Sequence, residues 1–148
     1  TPTDPTYLQA APPVFKSAGL TVGTYSPVLS SLDLEVTNTV GASRDANAAG
    51  GVTRYRVTQR KVTGTVVVEA KALSAWNPWT IWDAATAAAI AGTIGTAAGN
   101  RIVISIPNAQ PADPPEYTET DGVVFYSYKF APSVTLTQGN NELTLTFS

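Results

Sequence analysis

The segment LSSLDLEV (29–36) decides the fold class. Leu32, Leu34 and Val36 fall on one side of an extended chain, and Asp33, Glu35 and Thr37 on the other. Successive side chains of a strand point to opposite faces, so this alternation implies one face in a core and one in water. The same period returns in RIVISI (101–106), where Ile102, Ile104 and Ile106 are expected to face inward before Pro107 ends the strand. It returns again in ELTLTF (142–147), with Leu143, Leu145 and Phe147 on one face. Val62–Lys71 contains Val66-Val67-Val68, apolar on both faces, which predicts a central strand. VVFYSYKF (123–130) is the most β-prone stretch of all.

Working outward, Arg54–Gln59 reads as a separate strand with Tyr55 and Val57 on one face and Arg54 and Arg56 on the other. Val14-Phe15 and Leu20–Val22 are expected to pair around Ala18-Gly19, and Ala88–Ile94 to form a strand despite its alanines. Residues 38–53 (NTVGASRDANAAGGVT) lack large apolar anchors and read as a long loop, a class that is usually functional. In SAWNPWTIWDA (74–84), Asn77 is a good N-cap and Pro78 suits the first helical position, so one short helix is predicted. Trp79 and Trp82 would share its face. Turns are expected at 96–100, Asp121-Gly122 and 138–141, and extended chain at 107–115. With about seven or eight strands and one helix, the expected class is mainly β. The architecture would be an antiparallel β-sandwich or partly open barrel with one short flanking α-helix. Residues 1–13, with four prolines, read as a linker or arm, and 14–148 as a single domain.

The composition fits. The chain has 148 residues, 43% of them hydrophobic, with 11 Gly and 11 Pro as punctuation between short runs. Charged residues are 14%, and 9 Lys+Arg against 11 Asp+Glu leave a net charge of -2, which argues against a duplex-DNA binder working by phosphate neutralisation. There is no Cys and no His, which removes disulfides, thiol chemistry, the usual general base and the commonest metal ligand. No apolar run has the length of a membrane helix, and no signal peptide opens the chain. The start at Thr1 suggests a processed product or a piece of something longer.

Four groups are candidates for chemistry. Asp33 and Glu35 share a strand face but lack any sign of a cleft, so a solvated or interface edge is the simpler reading. Glu116, Glu119 and Asp121 could gather a hard cation, but the D-x-[DN]-x-[DN]-G pattern is missing. Arg54, Arg56 and Arg60 would lie on one face if the register holds and, with Lys61, form the one basic cluster. Acidic partners such as Asp33 and Glu35, within or between subunits, suit it better than phosphate, because no aromatic residues alternate with it. Trp76, Trp79 and Trp82 could form a sugar-stacking platform, or could pin the helix to the sheet. The residues therefore support no catalytic, cofactor or metal site, and favour a β module for assembly.

Read in order, several segments carry a family resemblance: SPVLSSLDLEVTNTV (26–40), the small-residue stretch, VTQRKVTGTVVVEAKAL (57–73), the Trp helix, TAAGNRIVISIPNAQ (96–110), Asp121-Gly122 and NNELTLTF (140–147). This order resembles the tail tube proteins of long-tailed bacteriophages, most closely the C-terminal half of the larger tube subunits. The resemblance implies a β-sandwich with a flanking helix. It also implies a structural, non-enzymatic role in stacked rings that form a phage or prophage tail tube, the conduit for DNA ejection. The implied partners are further copies of the chain and other tail proteins, with DNA passing through without specific binding. No cofactor, small-molecule substrate or membrane insertion is implied, and the place of action would be a virion tail made in the bacterial cytoplasm. By position, 38–53 matches the loop that stacks on the next ring, and strands 54–60 and 62–71 match the sheet near the lumen. The alternative is a secreted adhesive or carbohydrate-binding β-sandwich using the tryptophans.

Overall fold

The computed structural model describes residue 15 and residues 18–96, 99–134 and 141–148. The expected arm at 1–13, Val14 and much of the turns at 96–100 and 138–141 lie outside the described residues. The elements are β1 (Thr21–Val22), β2 (Leu29–Arg44), β3 (Val52–Glu69), α1 (Pro78–Asp83), β4 (Ala88–Ile94), β5 (Ile102–Pro111), β6 (Glu116–Thr120), β7 (Val123–Pro132) and β8 (Thr144–Phe147). Every pairing is antiparallel. The strands follow the order β1-β4-β5-β7-β3-β2, with β6 added to β7 and β8 to β5. The sheet is not closed into a barrel.

One face of this sheet makes the core. Val66 and Val68 of β3, Tyr126, Tyr128 and Phe130 of β7, Ile104 and Ile106 of β5 and Ile90 of β4 are buried in a single cluster. Residues from both ends of the strand path meet there, so the sheet must curl over its own apolar face. Val66-Val67-Val68 is flanked by β2 and β7, as its apolar run predicts. Gly64 is needed where Phe130 crosses β3. A Cβ there would lie 2.5 Å from Phe130 Cζ and 2.9 Å from the Asp33 carbonyl oxygen.

The helix forms as its capping signals predict: the Asn77 side chain accepts the Thr80 N–H at 3.1 Å, with Pro78 at the start. It is pinned to the sheet by aromatic contacts. Trp76, just before it, is buried, stacks on Tyr25 and meets Tyr126 and Tyr128. Trp79 packs on Tyr117 and Tyr126. Tyr126 donates its hydroxyl to the Lys71 carbonyl at 2.8 Å. The buried Tyr128 hydroxyl has no hydrogen-bond partner among the described residues, and burial pushes its pKa up to about 12. Tyr126 is also raised, by burial first and then by Tyr117 and Tyr25.

The structure corrects several expectations. Residues 38–53 are not a long loop: β2 runs on to Arg44 and β3 starts at Val52, so only a short turn remains. In it, Asp45 accepts the Asn47 N–H at 2.9 Å and the Thr53 hydroxyl at 3.2 Å. The segment looked like a loop because apolar anchors were missing, but cross-strand hydrogen bonds build a two-stranded ribbon without them. Likewise Arg54–Gln59 and Val62–Lys71 belong to one strand. Pro107 does not end β5, because it sits where the register with β4 slips between Ile90↔Ile106 and Ala88↔Ala109, and a bulge needs no N–H there. β1 pairs with β4, and its expected pairing with Val14-Phe15 involves a residue outside the described ones. β6 was missed, its five residues being exposed and so without a core stripe. Asp121-Gly122 does turn β6 into β7, with both residues at positive φ (53° and 77°) as a hairpin of this kind requires. The expected inward stripes are only partly inward. Leu32, Leu34 and Leu143 pack on the core, but Val36, Leu145 and Phe147 are exposed, Phe147 at 74%. Trp82 also points away from the core, at 38% exposure.

Two stability measurements test this core. Gly64→Ala is expected to lower stability by about 1–3 kcal/mol through overpacking against Phe130. Urea unfolding reads it, and an unchanged midpoint would contradict the close crossing. Tyr128→Phe should be neutral or stabilising, because it removes a buried hydroxyl without a protein partner, whereas Tyr126→Phe should cost about 0.5–1.5 kcal/mol. The pH dependence follows the same tyrosine. Between the ordinary value of 10 and about 12 the folded chain keeps a proton that the unfolded chain releases, so stability falls as pH rises through that window. Tyr128→Phe should flatten that fall, and an unchanged slope would refute the assignment.

Candidate assembly interface

The feature that stands apart from the core is the β2–β3 hairpin. Its register runs from Leu29↔Val68 to Arg44↔Val52. β7 covers β3 only from Gly64 to Glu69, so the outer part of the ribbon projects with no further strand beside it among the described residues. Along β2, Leu32, Leu34, Val36, Asn38, Val40 and Ala42 share the side that lies over the core; this is the inner face. Asp33, Glu35, Thr37, Thr39, Gly41 and Ser43 share the other, the outer face.

A bulge at Thr58 then sets the chemistry of both faces. Thr39 pairs with Gln59 and Val40 with Val57, so Thr58 is the extra residue. Its hydroxyl donates to the Thr39 carbonyl at 3.1 Å, and its methyl occupies the space a Cβ on Gly41 would need, at 2.6 Å. Without the bulge, Arg56 and Arg54 would follow Val62 and Arg60 on the inner face. With it, Val57 and Tyr55 join Val36 and Val40 on the inner face, and Arg56 and Arg54 join Asp33 and Glu35 on the outer one. All four of these inner apolar side chains are exposed, Tyr55 at 72%.

The bulge also corrects the expected basic cluster: Arg54, Arg56 and Arg60 do not share a face. Arg60 stays on the inner face, where it forms an ion pair with Glu142, a buried carboxylate just before β8. Arg54 and Arg56 are exposed and make no ion pair among the described residues. Asp33 and Glu35 line a shallow groove of about 350 Å³ on the outer face with Thr63, Thr65, Asp113 and Lys129. Lys129 lies 3.9 Å from Asp113 and 3.4 Å from Glu116. Neither Asp113 nor Lys129 was legible as part of this groove, because only the β3–β7 pairing brings Lys129 opposite Thr65.

The remaining candidates disperse. Glu116 and Glu119 lie on opposite faces of β6 and Asp121 in the turn beyond, and no group of three acidic, His or Cys residues is placed to hold a metal among the described residues. The three tryptophans form no common platform: Trp76 is buried, Trp79 is half-buried under Tyr117 and only Trp82 is exposed. That removes the feature on which the carbohydrate-binding alternative rested. No helix among the described residues is long and apolar enough to cross a membrane.

Comparison with known proteins bears on what such a hairpin serves. No curated protein matches the chain. Among solved structures, a chain from the virion of a native gene transfer agent particle aligns with a TM-score of 0.53 at 12% identity, covering 90% of this chain and 96% of its own. A chain from the tail of an empty gene transfer agent particle, with C6 symmetry, aligns with a TM-score of 0.53 at 11% identity and the same coverage. At such identities the likeness shows the fold alone. The family model for phage tail tube proteins matches residues 1–148, the whole length, and the chain therefore belongs to the phage tail tube protein family.

Proposed function

We propose that this chain is a structural subunit that forms rings with copies of itself, that the rings stack into a tail tube, and that the tube conducts DNA. Family membership supports a structural, non-enzymatic role in the tail. The observation that carries the finer reading is the inner face of the projecting hairpin. Val36, Val40, Tyr55 and Val57 continue the core face outward into solvent. Beyond Asn38 and Arg60 on that face, Val40, Tyr55 and Val57 form an exposed apolar cluster, the kind of surface that marks an interaction site. Among the described residues no strand pairs with the outer edge of β2, and an open edge is a template for docking against another chain. In an assembled tube the natural occupant is a neighbouring subunit. The hairpin thus takes the role expected of the segment 38–53, as a paired two-stranded ribbon and not a long loop.

The charge distribution suits a conduit. Tight phosphate binding along the wall would retard a sliding polyanion, and each neutralised phosphate adds salt-sensitive affinity. Arg60 is already engaged by Glu142 in its own chain, which withdraws one cation of the basic cluster from DNA.

Negative-stain electron microscopy of the concentrated protein tests assembly directly, with tubes expected. The triple variant Val40→Thr/Tyr55→Thr/Val57→Thr keeps β-propensity but removes the apolar rungs. These sites are exposed, so the monomer should stay folded, with each substitution changing its stability by less than about 0.5 kcal/mol. Tube formation should be lost, and normal tubes from this variant would refute the role. Duplex-DNA binding should be undetectable at about 0.15 M salt. Micromolar binding that Arg56→Glu abolishes, while tubes still form, would overturn the passive-conduit reading.

A further inference from the structure

The outer face of the hairpin carries opposite charge at its two ends. Near the body, Asp33, Glu35 and Asp113 line the groove, with Lys129 alone among them and shared with Glu116. Near the tip, Arg56 stands opposite Gly41 and Arg54 opposite Ser43, with Arg44 at the end of β2. Lys61 lies between, opposite Thr37. Asp45, the acidic residue of the turn, is held by hydrogen bonds within it. At about 3.3 Å per residue, Gly41 and Ser43 lie roughly 20–33 Å along β2 from Asp33 and Glu35. Two or three Debye lengths separate them, so the charges barely interact within one chain. Apart from the Thr37 hydroxyl on Glu35, at 3.4 Å, the acidic pair and the two arginines make no polar side-chain contact among the described residues.

We propose that Arg54 and Arg56 of one copy seat in the Asp33/Glu35/Asp113 groove of the next copy. The idea rests on the tube reading and names the surface that receives the hairpin. Arginine suits this site because its planar fork donates to two carboxylate oxygens at once. Thr63 and Thr65 on the groove floor offer further acceptors for the remaining N–H groups. Ribbon twist, sharpened by the bulge at Thr58, rotates the outer face at the tip away from the outer face at the base. The two can therefore oppose each other between copies in the same orientation. Such a contact joins two different patches, so it closes a ring where the rotation between copies returns on itself and propagates as a stack where it does not.

Charge swapping tests the pairing, with folding of each variant checked by circular dichroism and assembly read by sedimentation velocity and negative-stain microscopy. Arg54→Glu/Arg56→Glu and Asp33→Lys/Glu35→Lys each place like charges together and should raise the concentration needed for association at least about tenfold. The quadruple variant carrying all four reversals should return it to within roughly threefold of the wild type. An equimolar mixture of the two double variants should recover as well, because each supplies the patch the other needs. Should a reversed variant fail to fold, Arg54→Gln/Arg56→Gln replaces it, with a smaller rise expected. Wild-type association unaffected by either double variant would overturn the proposal, as would a folded quadruple variant that stays monomeric. Tubes from every variant would sink the pairing and leave the tube reading standing. Wild-type oligomers that depend on these four side chains but never stack into tubes would do the reverse.

Discussion

The register of β2 against β3 is the constraint on which the core and the projecting hairpin both depend. β3 is 18 residues long and does two things in one ladder. Its C-terminal third, from Gly64, is held between β2 and β7 and places Val66 and Val68 in the core. Its N-terminal part has only β2 beside it among the described residues. The register is unbroken across both parts, so the packing that fixes Val66 also fixes which way each residue of the ribbon faces, up to the bulge at Thr58. There the parity reverses, and Tyr55 and Val57 change places with Arg54 and Arg56. A single inserted residue thus determines that, from the bulge to the tip, Val57 and Tyr55 face one side of the ribbon and Arg56 and Arg54 the other. Gly41 permits it by leaving room for the Thr58 methyl group.

This arrangement explains an apparent cost. A monomer that exposes Val36, Val40, Tyr55, Val57, Leu145 and Phe147 together with free strand edges invites association. The chain belongs to the phage tail tube family, and in the proposed tube these surfaces meet neighbouring copies. The core accordingly sits at the other end of the ribbon, where β7 and the aromatic cluster around Trp76 and Tyr126 supply stability that does not draw on neighbours. The body is built from large buried side chains, and the ribbon from backbone hydrogen bonds and β-branched residues.

Much of the body was legible in the sequence. The alternation in 29–36 and 101–106, the apolar run at 66–68 and the β-prone stretch at 123–130 each reported a real strand, because burial on one or both faces leaves a period in the residues. Asn77-Pro78 and Asp121-Gly122 reported a helix start and a hairpin turn, because capping and positive φ are local demands met by local residues. The order of these weak signals was enough to suggest the family that the whole-chain match then established.

The tertiary structure alone decided what the ribbon is and which charges meet. Residues 38–44 have no core to pack on and carry no burial period, so their strand character comes from pairing with 52–57, whose alternation at 54–57 was legible as a strand but not as half of a hairpin. The split of Arg60 from Arg54 and Arg56 depends on one unpaired residue, and a period read along a single strand cannot see a slip that exists only relative to its partner. Arg60 meeting Glu142, and Lys129 meeting Asp113, join residues far apart in the chain. Local patterns record what a residue needs from its own neighbours in sequence. Which distant residue supplies the rest is settled only when the sheet curls and its strands come into register.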